Sequence, residues 1–218
     1  MLRGSQYVAA GSLADRFAAV RGVFDSHRRA LAYLYVPELD MAAHARGWQS
    51  DRWTAELEIL DAAVSGFAAT LSNSEGMLLT ADHGVLDVPR SGQVLVDQRP
   101  HPIRLVRQIG GEPRCLHLYL AAEAGDAGPD SVAAAWRDAE GDRAWVRTRA
   151  EAVQEGWFGP VHPDVLPRIG DVLVAARADV AYYDSRTATA GSQAMIGQHG
   201  SWTQTEVEVP LLRFGAFR

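Results

Sequence analysis

The sequence predicts an α/β fold. Three observations carry that expectation: two stretches with helical periodicity, two short continuous apolar runs placed before and after the second of them, and a 47% hydrophobic fraction over 218 residues, enough for a sizeable core. Strand, helix and strand in that order argue for a βαβ unit and hence a parallel sheet.

The elements follow in order. Leu13, Phe17, Val20 and Phe24 recur at three- and four-residue steps behind Ser12, predicting an amphipathic helix over residues 12–30 with Ser12 as its cap. The run Leu31–Val36 in "LAYLYVPELD" reads as a strand buried on both faces. Residues 50–73 repeat the helical spacing through Trp53, Leu57, Leu60, Val64, Phe67 and Leu71, with Ser50 as cap, and "MLLTA" supplies the next buried strand. From about Pro89 arginine, glycine and proline increase. Short alternating strands and helices there predict a small α+β insertion over residues 90–168, set into a core formed by residues 1–89 and 169–218. Strand character returns in "GDVLVAARADVAYYD", and the chain closes on "GQHGSWTQTEVEVPLLRFG".

Composition excludes several functions. A formal charge of -6 and a pI near 5.6 do not suit a nucleic-acid polymer as partner, which calls for a basic stripe. Cys115 is the single cysteine, so an internal disulfide, a cysteine-based zinc site and a redox pair are all excluded. The N-terminal stretch has no apolar core of signal-peptide length, and no run is long enough to span a bilayer, so the chain as written reads as cytoplasmic.

Three segments place ionisable groups where strands should stop: Asp40 and His44 in "ELDMAAH", Asp82 and His83 in "ADHG", and His199 in "GQHGS". Ligands of parallel α/β sheets bind beyond the carboxyl ends of the strands, so these five donors can converge. One helical turn separates Asp40 from His44 and aims both at one point, although a solvated helix start competes with that reading. Adjacent Asp82 and His83 need a backbone turn, which Gly84 permits, and a simple turn is the competing explanation. A mixed nitrogen and oxygen set suits zinc, manganese or iron better than ions that take oxygen alone.

Other residues carry weaker expectations. Trp202, Thr203 and Glu206 follow His199 and could shape the edge of a site, with packing as the rival role for the tryptophan. His27, His101, His117 and His162 have no partner at ligand spacing and read as structural or surface residues. Arg104, Arg107 and Arg114 could meet a phosphate, but a solvated face is the stronger expectation. Asp87 is expected in a turn before Pro89.

The segments "YLYVPELDMAAHARGWQSDRWTAELEILDAAV", "LLTADHGVLDVP" and "GQHGSWTQTEVEVPLLRFG", in this order, resemble the carboxyl-terminal half of the alkaline phosphatase superfamily. Within it the likeness is to the type I phosphodiesterase and nucleotide pyrophosphatase family. The resemblance implies a three-layer α/β/α sandwich with a mostly parallel central sheet, and two divalent ions, zinc first among them, at the strand ends. Asp40, His44 and His199 would hold one ion, and Asp82 and His83 would contribute to the second. It implies in-line displacement at phosphorus, through a threonine or serine nucleophile, on a nucleotide or other phosphoester substrate.

In the family that nucleophile lies well upstream of the strand leading to Asp40. Ser5, Ser12 and Ser26 do not stand in its context, so no catalytic residue is assigned and turnover by this chain alone is expected to be weak or absent. The open sheet edge left at Leu31 should promote association. Phosphomonoester or phosphonate hydrolysis and phosphosugar transfer are alternatives on the same platform. A truncated, non-catalytic metal-binding remnant is the alternative from another class.

Overall fold

The computed structural model describes residues 3–98, 103–126 and 128–218. Apart from short 3-10 turns, the chain begins with α1 (Leu13–Ser26), α2 (Glu38–Arg46) and α3 (Asp51–Ala68). There follow β1 (Gly76–Thr80), β2 (Leu86–Asp87), β3 (Gln93–Leu95), β4 (Val106–Glu112), β5 (Cys115–Leu120), α4 (Gly128–Glu140) and β6 (Ala144–Thr148). The remainder is α5 (Arg149–Gln154), β7 (Val172–Ala176), β8 (Ala181–Tyr183), α6 (Ala190–Ala194), β9 (Gly197–Gln198), α7 (Gln204–Val207) and β10 (Leu211–Gly215). Among the described residues no helix is long and apolar enough to cross a membrane. Two compact units result, one from residues up to Ala42, Gln49–Thr80 and Pro210–Arg218, the other from Ala43–Trp48 and Ala81–Val209.

In the first unit the caps are those the sequence predicts. Ser12 Oγ accepts the Asp15 N–H at 3.1 Å while Asp15 accepts the Ser12 N–H, and Ser50 Oγ accepts the Trp53 N–H at 3.2 Å. Loss of such a cap costs about 1 kcal/mol. The periodic apolar faces meet where Phe17 and Phe24 approach Phe67, with ring centroids 5.1 and 6.3 Å away. Arg16 binds Glu38, and Arg21 binds Glu75 just before β1. β1 pairs antiparallel with β10, from Gly76 opposite Gly215 to Thr80 opposite Leu211.

Two expectations fail in this unit. Leu31–Val36 is not a strand, and Leu31, Tyr33 and Tyr35 are 98%, 70% and 53% exposed. A strand exists through the ladder its neighbours supply, and among the described residues none pairs with this run. The βαβ unit around α3 is therefore not formed among these residues. β1 is a strand but is not buried, since Leu78 on it is 54% exposed.

The second unit holds the main core. Its four-stranded antiparallel sheet has the order β4-β5-β7-β6, and parallel pairing among the described residues joins β3 to β8. β7 is buried at every position because β5 and β6 flank it and side chains pack on both faces. The sheet draws most of its residues from 90–168 and takes β7 from beyond them. α4 lies over it through Val132, Ala133 and Trp136, whose ring meets Tyr182 edge-on at 6.2 Å. Truncating a buried tryptophan of this kind to alanine costs about 3–5 kcal/mol.

Candidate metal centre

The carboxyl end of α2 is held from two sides in the second unit. Gly47 takes the left-handed conformation at φ 86° and donates its N–H to Ala43 O at 2.7 Å, ending the helix as a C-terminal glycine does. The next N–H, of Trp48, donates to Asp87 Oδ1 at 2.9 Å. Asp87 thus lies in β2 and ties down a helix end, rather than belonging to the turn expected before Pro89. On the other side the Ile196 N–H reaches His44 O at 2.8 Å, and Gly197 lies so close that a Cβ there would stand 2.6 Å from Ala43 O.

These contacts fix His44 beside β9. β9 pairs antiparallel with β2, Leu86 opposite Gln198, which brings the segment before Leu86 alongside the segment after Gln198. His83 and His199 are carried on those two segments. Their rings stack at 3.6 Å with planes 12° apart, and the His44 ring stands 5.2 Å from that of His199.

Hydrogen bonds set the ring nitrogens. His44 Nδ1 lies 2.8 Å from Gly197 O and His83 Nδ1 lies 2.9 Å from Gly84 O. A carbonyl only accepts, so each Nδ1 carries the proton and the lone pair of the neutral ring sits on Nε2, as in metal-binding histidines oriented by a second partner. Donor atoms of His44 and His199 come within 4.8 Å of one another, and Asp40 precedes His44 by one turn of α2. Asp82 Oδ1 stands 3.7 Å from His83 Nε2, too long for a hydrogen bond. A carboxylate with oriented imidazoles suits zinc or another borderline ion.

The remaining singled-out residues fall elsewhere. Arg104 and Arg107 are exposed, as a solvated face requires, and His101 lies outside the described residues. His27 Nδ1 donates to Val23 O, His162 accepts the Asp164 N–H, and His117 accepts the Gly170 N–H in a buried setting that lowers its pKa. Trp202 is half-exposed against Trp157, ring centroids 5.7 Å apart. Arg114 is the clear correction: it is fully buried and meets neither solvent nor a phosphate, because it is bound to Glu206, itself 2% exposed. The partners are 92 positions apart, a separation no local pattern signals. Burial drives the Glu206 carboxyl up, but Arg114, Thr203 and the Ser201 N–H outweigh it and the net shift is downward.

Residues 5–202 match the family of type I phosphodiesterase and nucleotide pyrophosphatase, and the chain belongs to that family. Its α/β fold is similar to that of the murine ectonucleotide pyrophosphatase/phosphodiesterase 5, with TM-score 0.76, 17% identity, and coverage of 97% of this chain and 54% of that one. An inactive variant of the murine protein in complex with AMP gives TM-score 0.74, and the human protein 0.71, each at 17% identity and with the same coverages. The chain therefore spans about half the length of these structures. No curated protein matches it.

Proposed function

We propose that the chain carries the metal-holding part of a hydrolase acting on phosphodiester or pyrophosphate bonds, with nucleotides as substrate class. Asp40, His44 and His199 hold one divalent ion in this reading, Asp82 and His83 contribute to a second, and zinc is the ion their chemistry favours. Such ions, when bound, polarise phosphoryl oxygens and lower the pKa of bound water, and they supply the positive charge that an acidic chain lacks. The polypeptide's own part is to orient the imidazoles: the Gly197 and Gly84 carbonyls hold the Nδ1 protons of His44 and His83, so that Nε2 is the donor in each ring. Family membership and the AMP bound to a structural neighbour support the nucleotide class.

The observation that carries this reading is the convergence of His44, His83 and His199 from three separate segments. Neither Ser12, engaged in capping α1, nor Ser26, donating to Gly22 O, is assigned a nucleophile's role. Zinc content after dialysis, followed by titration, tests the assignment. Uptake that is lost in His44→Ala and His199→Ala supports it, and equal uptake by wild type and both variants overturns it. Nucleotide p-nitrophenyl diesters assayed against p-nitrophenyl phosphate separate diesterase from monoesterase chemistry.

A further inference from the structure

Glu206 is bonded on every side. Its Oε1 accepts from Arg114 Nε at 2.7 Å and from the Ser201 N–H at 3.0 Å, and its Oε2 accepts from Arg114 Nη2 at 2.8 Å and from Thr203 Oγ1. Arg114 spends its other donors on the carbonyls of Ala178, Val180 and, at 3.5 Å, Ala176, so all five of its N–H groups point at acceptors. A buried ion pair satisfied this fully is a specific anchor more than a source of net stability.

The same residue bonds the two segments that carry the stacked imidazoles. Its side chain holds Ser201, two positions after His199, while its backbone carbonyl accepts the N–H of Gly84, next to His83, at 2.8 Å. Ser201 Oγ donates onward to Ala176 O of β7. Gly200, between His199 and Ser201, sits at φ 120° against Glu112 at the end of β4, in the same hairpin that carries Arg114. The segments of His83 and His199 thus meet at Glu206, and Glu206 is pinned to the β4–β5 hairpin.

We propose that Glu206, locked by Arg114, is a positioning residue that sets the mutual geometry of His83 and His199 and through it the affinity of the metal centre. The inference rests on the metal reading above. It also assigns the hairpin a task at the site, although none of its residues is a candidate ligand.

The test uses the full 218-residue chain. Zinc affinity is measured by competition with a chromophoric chelator, and the ring-current shifts of the His83 and His199 imidazole protons are measured in metal-free protein. Two variants are compared with wild type: Glu206→Gln, and the pair Arg114→Met with Glu206→Leu, which leaves no buried charge behind. The expected result in a variant that keeps its near-ultraviolet circular dichroism is zinc affinity weaker by about 10- to 100-fold, the loss typical when a ligand's support is removed, with collapse of the mutual ring-current shifts. Folded variants that keep wild-type affinity and shifts overturn the proposal. So does failure of both variants to fold, since the pair then acts on the whole unit. If wild type takes up no zinc, the metal reading fails by itself and the imidazole shifts alone decide the positioning role.

Discussion

The imidazoles of His83 and His199 lie face to face, 3.6 Å apart and 12° from coplanar, although the segments that deliver them precede and follow the whole antiparallel sheet in the chain. A contact of this kind orders two candidate donors before any ion arrives, which reduces the conformational entropy lost on binding. Zinc should therefore stabilise the folded chain. At about 100 times its dissociation constant the gain is about 2.7 kcal/mol, or roughly 5–10 °C in Tm for a chain of this length. Differential scanning fluorimetry with zinc, then with chelator, should show the rise and its reversal. His199→Ala should lose most of it.

The two glycines beside these histidines do different work. Gly84 follows His83 at an ordinary negative φ, so it is not needed for an unusual turn; a Cβ there would stand 2.0 Å from Thr205 O. Gly200 follows His199 at φ 120°, which side chains rarely adopt, with Glu112 Cβ 2.9 Å from the would-be methyl. Gly84→Ala should cost about 1–3 kcal/mol by overpacking against backbone that cannot swing aside. Gly200→Ala should cost about 1–3 kcal/mol by strain, and Glu112 Cβ, fixed to its own backbone, cannot swing away to relieve the contact. Chemical denaturation of each variant measures both losses.

The local features were legible and the pairings were not. Ser12 and Ser50 cap the helices their spacing predicts, because capping is settled within a few residues. Asp40 and His44 share a helix for the same reason. The two apolar runs "LAYLYV" and "VLVAA" look alike on paper, yet only the second is a buried strand, since β5 and β6 pair with it while nothing described pairs with the first. Strand character is a property of neighbours, and so is direction: β1 pairs with β10 antiparallel, where a parallel partner was expected. Arg114 could not be read at all. Its charge type predicts a surface, and only the long-range arrival of Glu206 makes a buried position tolerable.

Acid should weaken the first unit through Glu75. The Arg21 guanidinium, aided by the Ser72 N–H, holds this carboxyl down to about 2, below its ordinary 4.5. A depressed carboxylate contributes stability that is fully present above 4.5 and fades as pH falls through the window down to about 2. Glu75 also fixes the start of β1, since its carbonyl accepts the Ala216 N–H at 2.8 Å. Glu75→Gln should melt below wild type at neutral pH, and the two melting curves should converge as pH falls through that window. Parallel curves at every pH would show that the ion pair contributes nothing.

Cys115 offers a chemical probe of the buried anchor. Burial, and then the nearby Glu206 carboxylate, push its thiol from 9.0 up to about 12. At neutral pH the reactive thiolate is then much scarcer than for an ordinary cysteine. Iodoacetamide should accordingly label the native chain far more slowly than the denatured one, with mass spectrometry reporting the site. Glu206→Gln removes the second cause and leaves the first, so labelling should quicken in a variant that stays folded. Because Cys115 adjoins Arg114 in the chain, that acceleration reports the loss of the Glu206 charge at the hairpin itself, independently of any metal. An unchanged rate in folded Glu206→Gln would mean that burial alone governs the thiol and that the carboxylate's field does not reach it.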